Sequence, residues 1–144
     1  MRMHFAEQVG RLRRAVYRVL AQRLSKRTDM PLERLLLLAW AHHRNVTSQA
    51  ELAAHFLIEP SAVSRMVDRL EEEGYARRAT GEDRRRVHVE VTEAGLQQLT
   101  IFGEALDTLT RDLGTELTET ERRELRRLLE KAERALEAAL TRGD

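Results

Sequence analysis

The sequence predicts a mainly α-helical fold that carries one small β-hairpin. Apolar residues recur at steps of three and four along most of the 144-residue chain, which is the period of one buried helix face. The exception is residues 87–91, where three valines alternate with His88 and Glu90, and this is the period of a strand. A content of 42% hydrophobic and 34% charged residues, with seven glycines and two prolines, is typical of one helix-rich globular domain.

Three helices are predicted in the first part of the chain. Residues 4–26 form an amphipathic helix whose opposite face is rich in arginine. Pro31 suits the first position of the next helix, and the apolar residues 35–41 place that helix in the core. Ser48 and Glu51 have the spacing of a capping box, so a third, short helix is expected to begin there. The apolar stripe of the first helix consists of Phe5, Val9, Leu12, Val16, Leu20 and Leu24.

A fourth helix and the hairpin follow directly. Pro60 again suits a first helical position, and Gly74 ends the helix, because glycine is common one residue past a helix. Residues 75–79 and 87–91 then form two antiparallel strands around the turn residues 80–83. The buried stripe of the helix is Val63, Met66, Val67 and Leu70, and the hairpin tip carries Arg84, Arg85 and Arg86.

Two long helices complete the chain. Thr92 caps the first and Gly114 closes it, whereas Thr118 and Glu121 form a second capping box that starts the last helix. Their apolar stripes are Leu96, Leu99, Phe102, Leu106, Leu109 and Leu113, then Leu125, Leu128, Leu129, Ala132, Leu136 and Leu140. Long stripes at both ends of a small chain need a covering surface, which is either the same monomer or a second copy.

Composition excludes several classes of function. Absence of cysteine rules out disulfides, thiolate metal sites and thiol-based redox sensing. The longest wholly apolar run, residues 35–41, is far shorter than the about 20 residues that cross a bilayer, so we predict no membrane partner and a cytoplasmic location. No nucleophile with a base, phosphate loop or buried carboxylate pair is evident, so neither an enzyme nor a bound cofactor is expected.

Arginine is concentrated in two segments although the net charge is only +1. Residues 1–27 hold seven arginines and one lysine against one acid, and residues 77–86 hold five arginines against two acids. Two helices, a short turn and a hairpin with a basic tip follow the order of a winged helix-turn-helix, whose second helix enters the major groove of DNA. The outward side chains of that helix suit guanine or phosphate, and they are Ser61, Ser64, Arg65 and Arg69.

Two alternatives remain open at this stage. Arginine-rich helix faces are often only solvated, and a winged-helix module can dock a protein partner instead of DNA. The acidic run 71–73 at the far end of the second helix would be repelled by phosphate, so only the start of that helix is expected to approach DNA.

Residues 47–95 resemble the core of the MarR-type transcriptional regulators, and the flanking helices extend the resemblance to nearly the full chain. The most specific part is Asp83-Arg84-Arg85 followed by Thr92 and Gly95, which is similar to the wing signature of that family. The resemblance implies a homodimeric repressor or activator on a pseudo-palindromic operator. Arg85 would then enter the minor groove, and Asp83 would orient the arginines of the wing.

The resemblance also divides the single domain 1–144 into parts. It implies dimerisation helices at 1–27 and 115–144, a winged helix-turn-helix at 31–92 and a connecting helix at 93–113. Phosphate contacts are expected at the start of the short third helix, where the helix dipole favours anions. The full set of predicted DNA-binding residues is Ser48, Gln49, Ser61, Ser64, Arg65, Arg69, Asp83, Arg84, Arg85 and Arg86.

Regulators of this type commonly respond to small, often anionic aromatic ligands, which release them from DNA. Trp40 and His43 share a helix face, and with Arg14 and Tyr17 they are the predicted lining of such a cleft. The alternative is that Trp40 belongs to the core and His43 only ends a helix. A metal-responsive regulator is a further alternative, but no metal site is predicted, because adjacent histidines point about 100° apart on a helix.

Overall fold

The structure is a computed structural model, and it describes residues 3–43, 48–80 and 86–143. It contains six helices and two strands in these described ranges: α1 Phe5–Leu24, α2 Leu32–His43, α3 Gln49–Phe56, α4 Pro60–Glu72, β1 Ala76–Thr80, β2 Val87–Val91, α5 Glu93–Leu113 and α6 Glu119–Arg142. The chain divides into two compact units, residues 1–106 and 107–144. The mainly α fold with one antiparallel hairpin, expected from the sequence, is confirmed.

Helix α2 lies at the centre of the first unit, as its apolar run predicts. Its Leu35, Leu37 and Leu38 are fully buried, because α1, α3 and the hairpin all pack against it. Helix α4 contributes a second buried row at a spacing of three and four residues. The other buried apolar side chains of this unit are Leu20, Leu24, Met30, Ala41, Leu52, Ala53, Val63, Val67, Leu70, Ala76, Val89, Leu99, Phe102 and Ala105.

The end of α4 determines where the hairpin begins. Gly74 has a φ of +80°, and its amide donates to the carbonyl oxygen of Glu71 while the Tyr75 amide donates to that of Leu70. This is the Schellman arrangement that satisfies the last carbonyls of a helix. Tyr75 is therefore part of the helix end, so the prediction that the first strand starts at residue 75 was wrong by one residue. Strand β1 begins at Ala76, which pairs with Val91.

Helix α5 approaches the end of the hairpin very closely. The Thr92 hydroxyl donates to the carbonyl oxygen of Gly74 at 2.6 Å and accepts from the amide of Gly95 at 3.2 Å, which caps α5. The Thr92 amide donates to the carbonyl oxygen of Tyr75. A Cβ atom on Gly95 would lie 2.2 Å from that same carbonyl oxygen and 2.7 Å from a methyl group of Val91. Only glycine fits here without displacement of the backbone.

The second unit consists of the end of α5 and the whole of α6. Thr118 and Glu121 cap α6 reciprocally, at 3.1 Å for each hydrogen bond, which confirms the predicted capping box. No side chain of the described part of α6 is buried. Its apolar stripe, predicted to face inward, is open in the single chain, and Leu136 and Leu140 are 59% and 82% exposed.

Among the described residues, no helix combines the length and the hydropathy that a bilayer crossing requires.

We expect replacement of Gly95 by alanine to destabilise the first unit, because the added Cβ would overlap the backbone of Tyr75. The free energy of unfolding should fall by about 3 kcal/mol, at the upper end of the usual cost of overpacking. Gly103→Ala in the same helix is the matched control, because a Cβ atom on Gly103 would meet no described atom within 4 Å beyond its own helix backbone. That control should raise the stability by up to about 1 kcal/mol, because alanine is the better helix former.

Chemical denaturation of both variants at one protein concentration would measure the two changes. Equal effects of the two substitutions would contradict the importance of the contact between α5 and Tyr75.

Candidate nucleic-acid interface

Helices α3 and α4 are joined by a short turn that contains a backbone feature unusual for leucine. Leu57 adopts a left-handed conformation with φ 54° and ends α3, while its side chain is 90% exposed. The amide of Ile58 then donates to the carbonyl oxygen of Ala53. Pro60 occupies the first turn of α4, as predicted. Together these residues form a helix-turn-helix followed directly by the hairpin.

Helix α4 buries one face and exposes the other. Ser61 and Arg65 are exposed on the first turns, and within the described part of the chain Arg65 forms no ion pair. The far end of the helix is acidic, with glutamates at residues 71–73. The exposed start of α4 is thus polar and cationic, whereas its end would repel a polyanion.

Arg78 of β1 connects the hairpin to both helices. Its Nη1 lies 2.7 Å from a carboxylate oxygen of Asp68 and also donates to Glu71. Its Nε donates to the side-chain oxygen of Gln49 at 2.7 Å. Its Nη2 donates to the carbonyl oxygen and to the hydroxyl of Ser64, at 2.9 and 3.3 Å. Three elements are therefore held together by one half-buried guanidinium group.

The two residues predicted to contact phosphate at the start of α3 have different surroundings. Ser48 is only 4% exposed, and its hydroxyl caps α3 by accepting from the amide of Glu51 at 3.1 Å. The backbone of Ser48 also pairs with that of His88 of β2 in an isolated antiparallel β-bridge. Gln49 is half-buried beside Arg78. Gln49 is therefore the more accessible of the two side chains.

Arg69, predicted to face the major groove, has acidic neighbours on its own helix. Its Nε donates to Glu73 at 2.8 Å, and a second guanidinium nitrogen lies 3.9 Å from Glu72. Glu73 also accepts from Arg34 of α2 at 2.9 Å. Arg69 thus belongs to an ion-pair network at the acidic end of α4, and Arg65 is the arginine whose charge is available.

The arginines of the described part of the hairpin also have acidic neighbours. Arg77 lies 3.5 Å from Glu90, its cross-strand partner, and Arg86 lies 3.8 Å from Glu51 of α3. With Arg78 already paired, the local excess of positive charge is smaller than the count of arginines in the sequence suggests. The predicted wing residues Asp83, Arg84 and Arg85 lie outside the described residues.

Comparison with known proteins matches both the sequence and the fold. The sequence model of the MarR family matches residues 28–86, which include α2, α3, α4 and β1. The chain is 31% identical over 114 residues to the HTH-type transcriptional repressor IacR of Pseudomonas putida, which covers 76% of this chain and 66% of that protein. The chain belongs to the MarR family of transcription regulators.

Solved MarR-family structures share the fold. Wild-type MarR of E. coli in its apo form superposes with a TM-score of 0.80 at 23% identity, covering 92% of this chain and 98% of that one. The S. aureus MepR–DNA complex gives a TM-score of 0.74 at 20% identity, covering 94% and 99%. The family and the fold expected from the sequence are both confirmed, whereas the roles of individual residues stay predictions.

The four residues predicted to line a ligand cleft in this MarR-family chain have different neighbours in the structure. Trp40 stacks on His55 of α3 with ring centroids 3.5 Å apart, and His43 is exposed next to His42. Tyr17 is covered by Arg13 at 4.8 Å. Tyr17 also lines a groove of about 460 Å³ against residues 28–33, and the described residues around this groove do not include Arg14, Trp40 or His43.

Within residues 3–43, 48–80 and 86–143, no three side chains of histidine, aspartate or glutamate come together as a metal-binding group.

Arg78, Asp68 and Glu71 are not among the site residues predicted from the sequence. One signal was available, because Asp68 and Glu71 are three residues apart and share a face of α4. The partner of that acidic pair comes from β1, and its position depends on how the hairpin folds back.

The contact with Arg78 lowers the pKa of Glu71. Hydrogen bonds from the backbone amide and the side chain of Arg78 lower the pKa of Glu71 below its ordinary value of 4.5, and partial desolvation only partly opposes them. The stabilisation is therefore present above that ordinary value and is lost as the pH falls through the lower pKa of the folded state.

We expect Glu71→Gln to lower stability at neutral pH and to make the free energy of unfolding less dependent on pH below about 4.5. Denaturant titrations from pH 3 to pH 7 would measure this dependence. Glu72→Gln, one residue along and 67% exposed, is the matched control and should leave the slope nearly that of the natural chain. A Glu71→Gln variant with an unchanged acid slope would contradict the contribution of the Arg78 contact.

Proposed function

We propose that the chain binds operator DNA in a sequence-specific manner, with the start of α4 in the major groove and the hairpin directed at the minor groove. The observation that carries this proposal is the polarity of α4. Its first turns expose Ser61 and Arg65, and its last turn is acidic and paired with Arg34 and Arg69. An arginine in the position of Arg65 suits bidentate contact to guanine.

The proteins that this chain resembles support a role at DNA. MepR of S. aureus, whose fold this chain shares, has been solved bound to DNA. IacR, the relative described above, is a transcriptional repressor, and the chain spans 66% of its length. We therefore propose a regulatory rather than a catalytic role for this chain, acting in the cytoplasm as a repressor or an activator.

We propose further that the functional unit is a homodimer formed through the terminal helices, residues 1–27 and 115–144. Apolar side chains of both helices are open in the single chain, and they are Phe5, Val9, Leu12, Leu128, Leu129, Leu136 and Leu140. A soluble monomer rarely leaves such stripes uncovered. A two-fold dimer would set its two α4 helices about one DNA turn apart, ~34 Å, and so match a pseudo-palindromic operator.

We propose that a small ligand bound beside Tyr17 releases the DNA. The groove beside Tyr17 offers an aromatic ring and the cation Arg18. An aromatic ring beside a cation suits a small anionic aromatic ligand.

We expect Arg65→Ala to weaken operator binding by about 1–3 kcal/mol and to relax the preference at one base pair, because a bidentate contact to guanine would be lost. Arg134→Ala is the matched control, since Arg134 lies on the face of α6 opposite its apolar stripe. It removes the same charge and should change affinity much less.

Fluorescence anisotropy against the duplex upstream of the gene for this chain, at several salt concentrations, would measure both variants. Affinity of the natural chain should fall steeply with salt, because phosphate contacts release counterions. Equal losses in Arg65→Ala and Arg134→Ala would contradict the placement of α4, and no preference for any duplex over random DNA would contradict the proposed function.

We expect Leu136→Glu to halve the mass of the protein in sedimentation experiments while it retains helical content, because Leu136 is largely exposed within its own chain. Leu57→Glu is the matched control, since Leu57 is also an exposed leucine but lies outside the terminal stripes. A Leu136→Glu variant that keeps the mass of a dimer would contradict this interface.

A further inference from the structure

We propose that Arg78 determines the hydrogen-bonding polarity of two DNA-facing side chains, Ser64 and Gln49. Both would present donors to DNA, so α4 would select an acceptor on a base edge at the position that Ser64 contacts. Arg78 would thereby influence sequence preference without contacting DNA itself. This inference rests on the proposed function, since it concerns how the same interface discriminates between bases.

The chemistry of arginine fixes which atoms accept. A guanidinium group has five N–H donors and no acceptor. The Ser64 hydroxyl, 3.3 Å from Nη2 of Arg78, must therefore accept that bond, and the hydroxyl hydrogen is left to donate elsewhere. The atom of Gln49 that lies 2.7 Å from Nε of Arg78 must likewise be the amide oxygen. The amide NH₂ group of Gln49 then remains available as a donor.

The position of Arg78 is fixed by its other partners. Its side chain is only 24% exposed, and it contacts the carboxylates of Asp68 and Glu71 as well as the carbonyl oxygen of Ser64. Two carboxylates more than balance its single positive charge, so a DNA phosphate would attract Arg78 only weakly. Arg78 is thus a positioning residue, and a lysine could not reach the same partners because it lacks the planar fork.

The consequence is selectivity at one base pair. A free serine hydroxyl can either donate or accept, so serine contacts many base edges without preference. A hydroxyl that must donate selects guanine O6 or N7, adenine N7 or thymine O4, and it discriminates against the N4 donor of cytosine. The amide donors of Gln49 suit phosphate oxygens, which only accept.

The first experiment compares sequence preferences. Operators are selected from a library of randomised duplexes with the natural chain, Ser64→Ala and Arg78→Lys, and the folding of each variant is checked by thermal unfolding. Ser64→Ala identifies the base pair that Ser64 contacts. We expect Arg78→Lys to lose the preference for an acceptor at this same base pair, by about two- to tenfold for one hydrogen bond, and to keep the preferences elsewhere.

A uniform loss of affinity in Arg78→Lys, with the preference at that base pair intact, would assign Arg78 a merely structural role and overturn the inference. Absence of any selective binding by the natural chain would instead overturn the proposed function, and this inference with it.

A second pair of variants tests Gln49 without removing Arg78. In Gln49→Glu the carboxylate still accepts from Arg78 but has no donor, so we expect the thermal stability to be retained or raised while DNA affinity falls. Ala50→Glu is the matched control, because it adds the same negative charge at the next exposed position of α3. We expect Gln49→Glu to lose more affinity than Ala50→Glu, and equal losses would overturn the inference for Gln49.

Discussion

The close approach of α5 to the backbone of Tyr75 is the contact on which the geometry of the first unit depends. Thr92 bonds Gly74 on one side and Gly95 on the other, and Gly95 leaves room for the Tyr75 carbonyl group. The end of α4, the start of β1 and the start of α5 therefore meet at one point. Because the hairpin enters and leaves at this point, these few backbone contacts, together with those of Arg78, set its direction relative to α4. The side chains of the candidate interface are then positioned by this backbone arrangement.

Local signals made most of the fold predictable from the sequence. Pro60 and Thr118 mark the starts of two helices, and Gly74 marks the end of one. Each acts on residues close to it in the sequence, so these helix boundaries could be predicted. The predicted start of β1 was one residue too early. The amide of Tyr75 completes the Schellman arrangement at the end of α4, and a strand pattern in the sequence does not reveal this. Composition and periodicity thus predicted the helices and strands well, and the exact boundaries between them less well.

The candidate site was less predictable than the fold, because an arginine counted in the sequence can be neutralised by an acidic neighbour in the structure. Arg65 and Arg69 are the same residue type on the same helix. Within the described ranges, only Arg69 of the two forms ion pairs with glutamates, which lie one turn further along the helix. Arg78 was counted toward a basic hairpin, although carboxylates of α4 neutralise it. Pairing of this kind joins residues that are far apart in sequence or depends on rotamers, and neither is visible in a pattern. The predicted ligand cleft likewise depends on contacts between distant residues, such as the stacking of Trp40 on His55 of α3.

The open apolar stripe of α6 has a consequence for how the amount of protein would control its activity. Because no described side chain of α6 is buried within its own chain, a second copy in the proposed dimer would supply much of the free energy that holds this helix. Folding of the second unit and assembly then become one equilibrium. At low expression the chain would persist as a partly folded monomer that proteases cleave readily, so operator occupancy would rise more steeply than in proportion to synthesis.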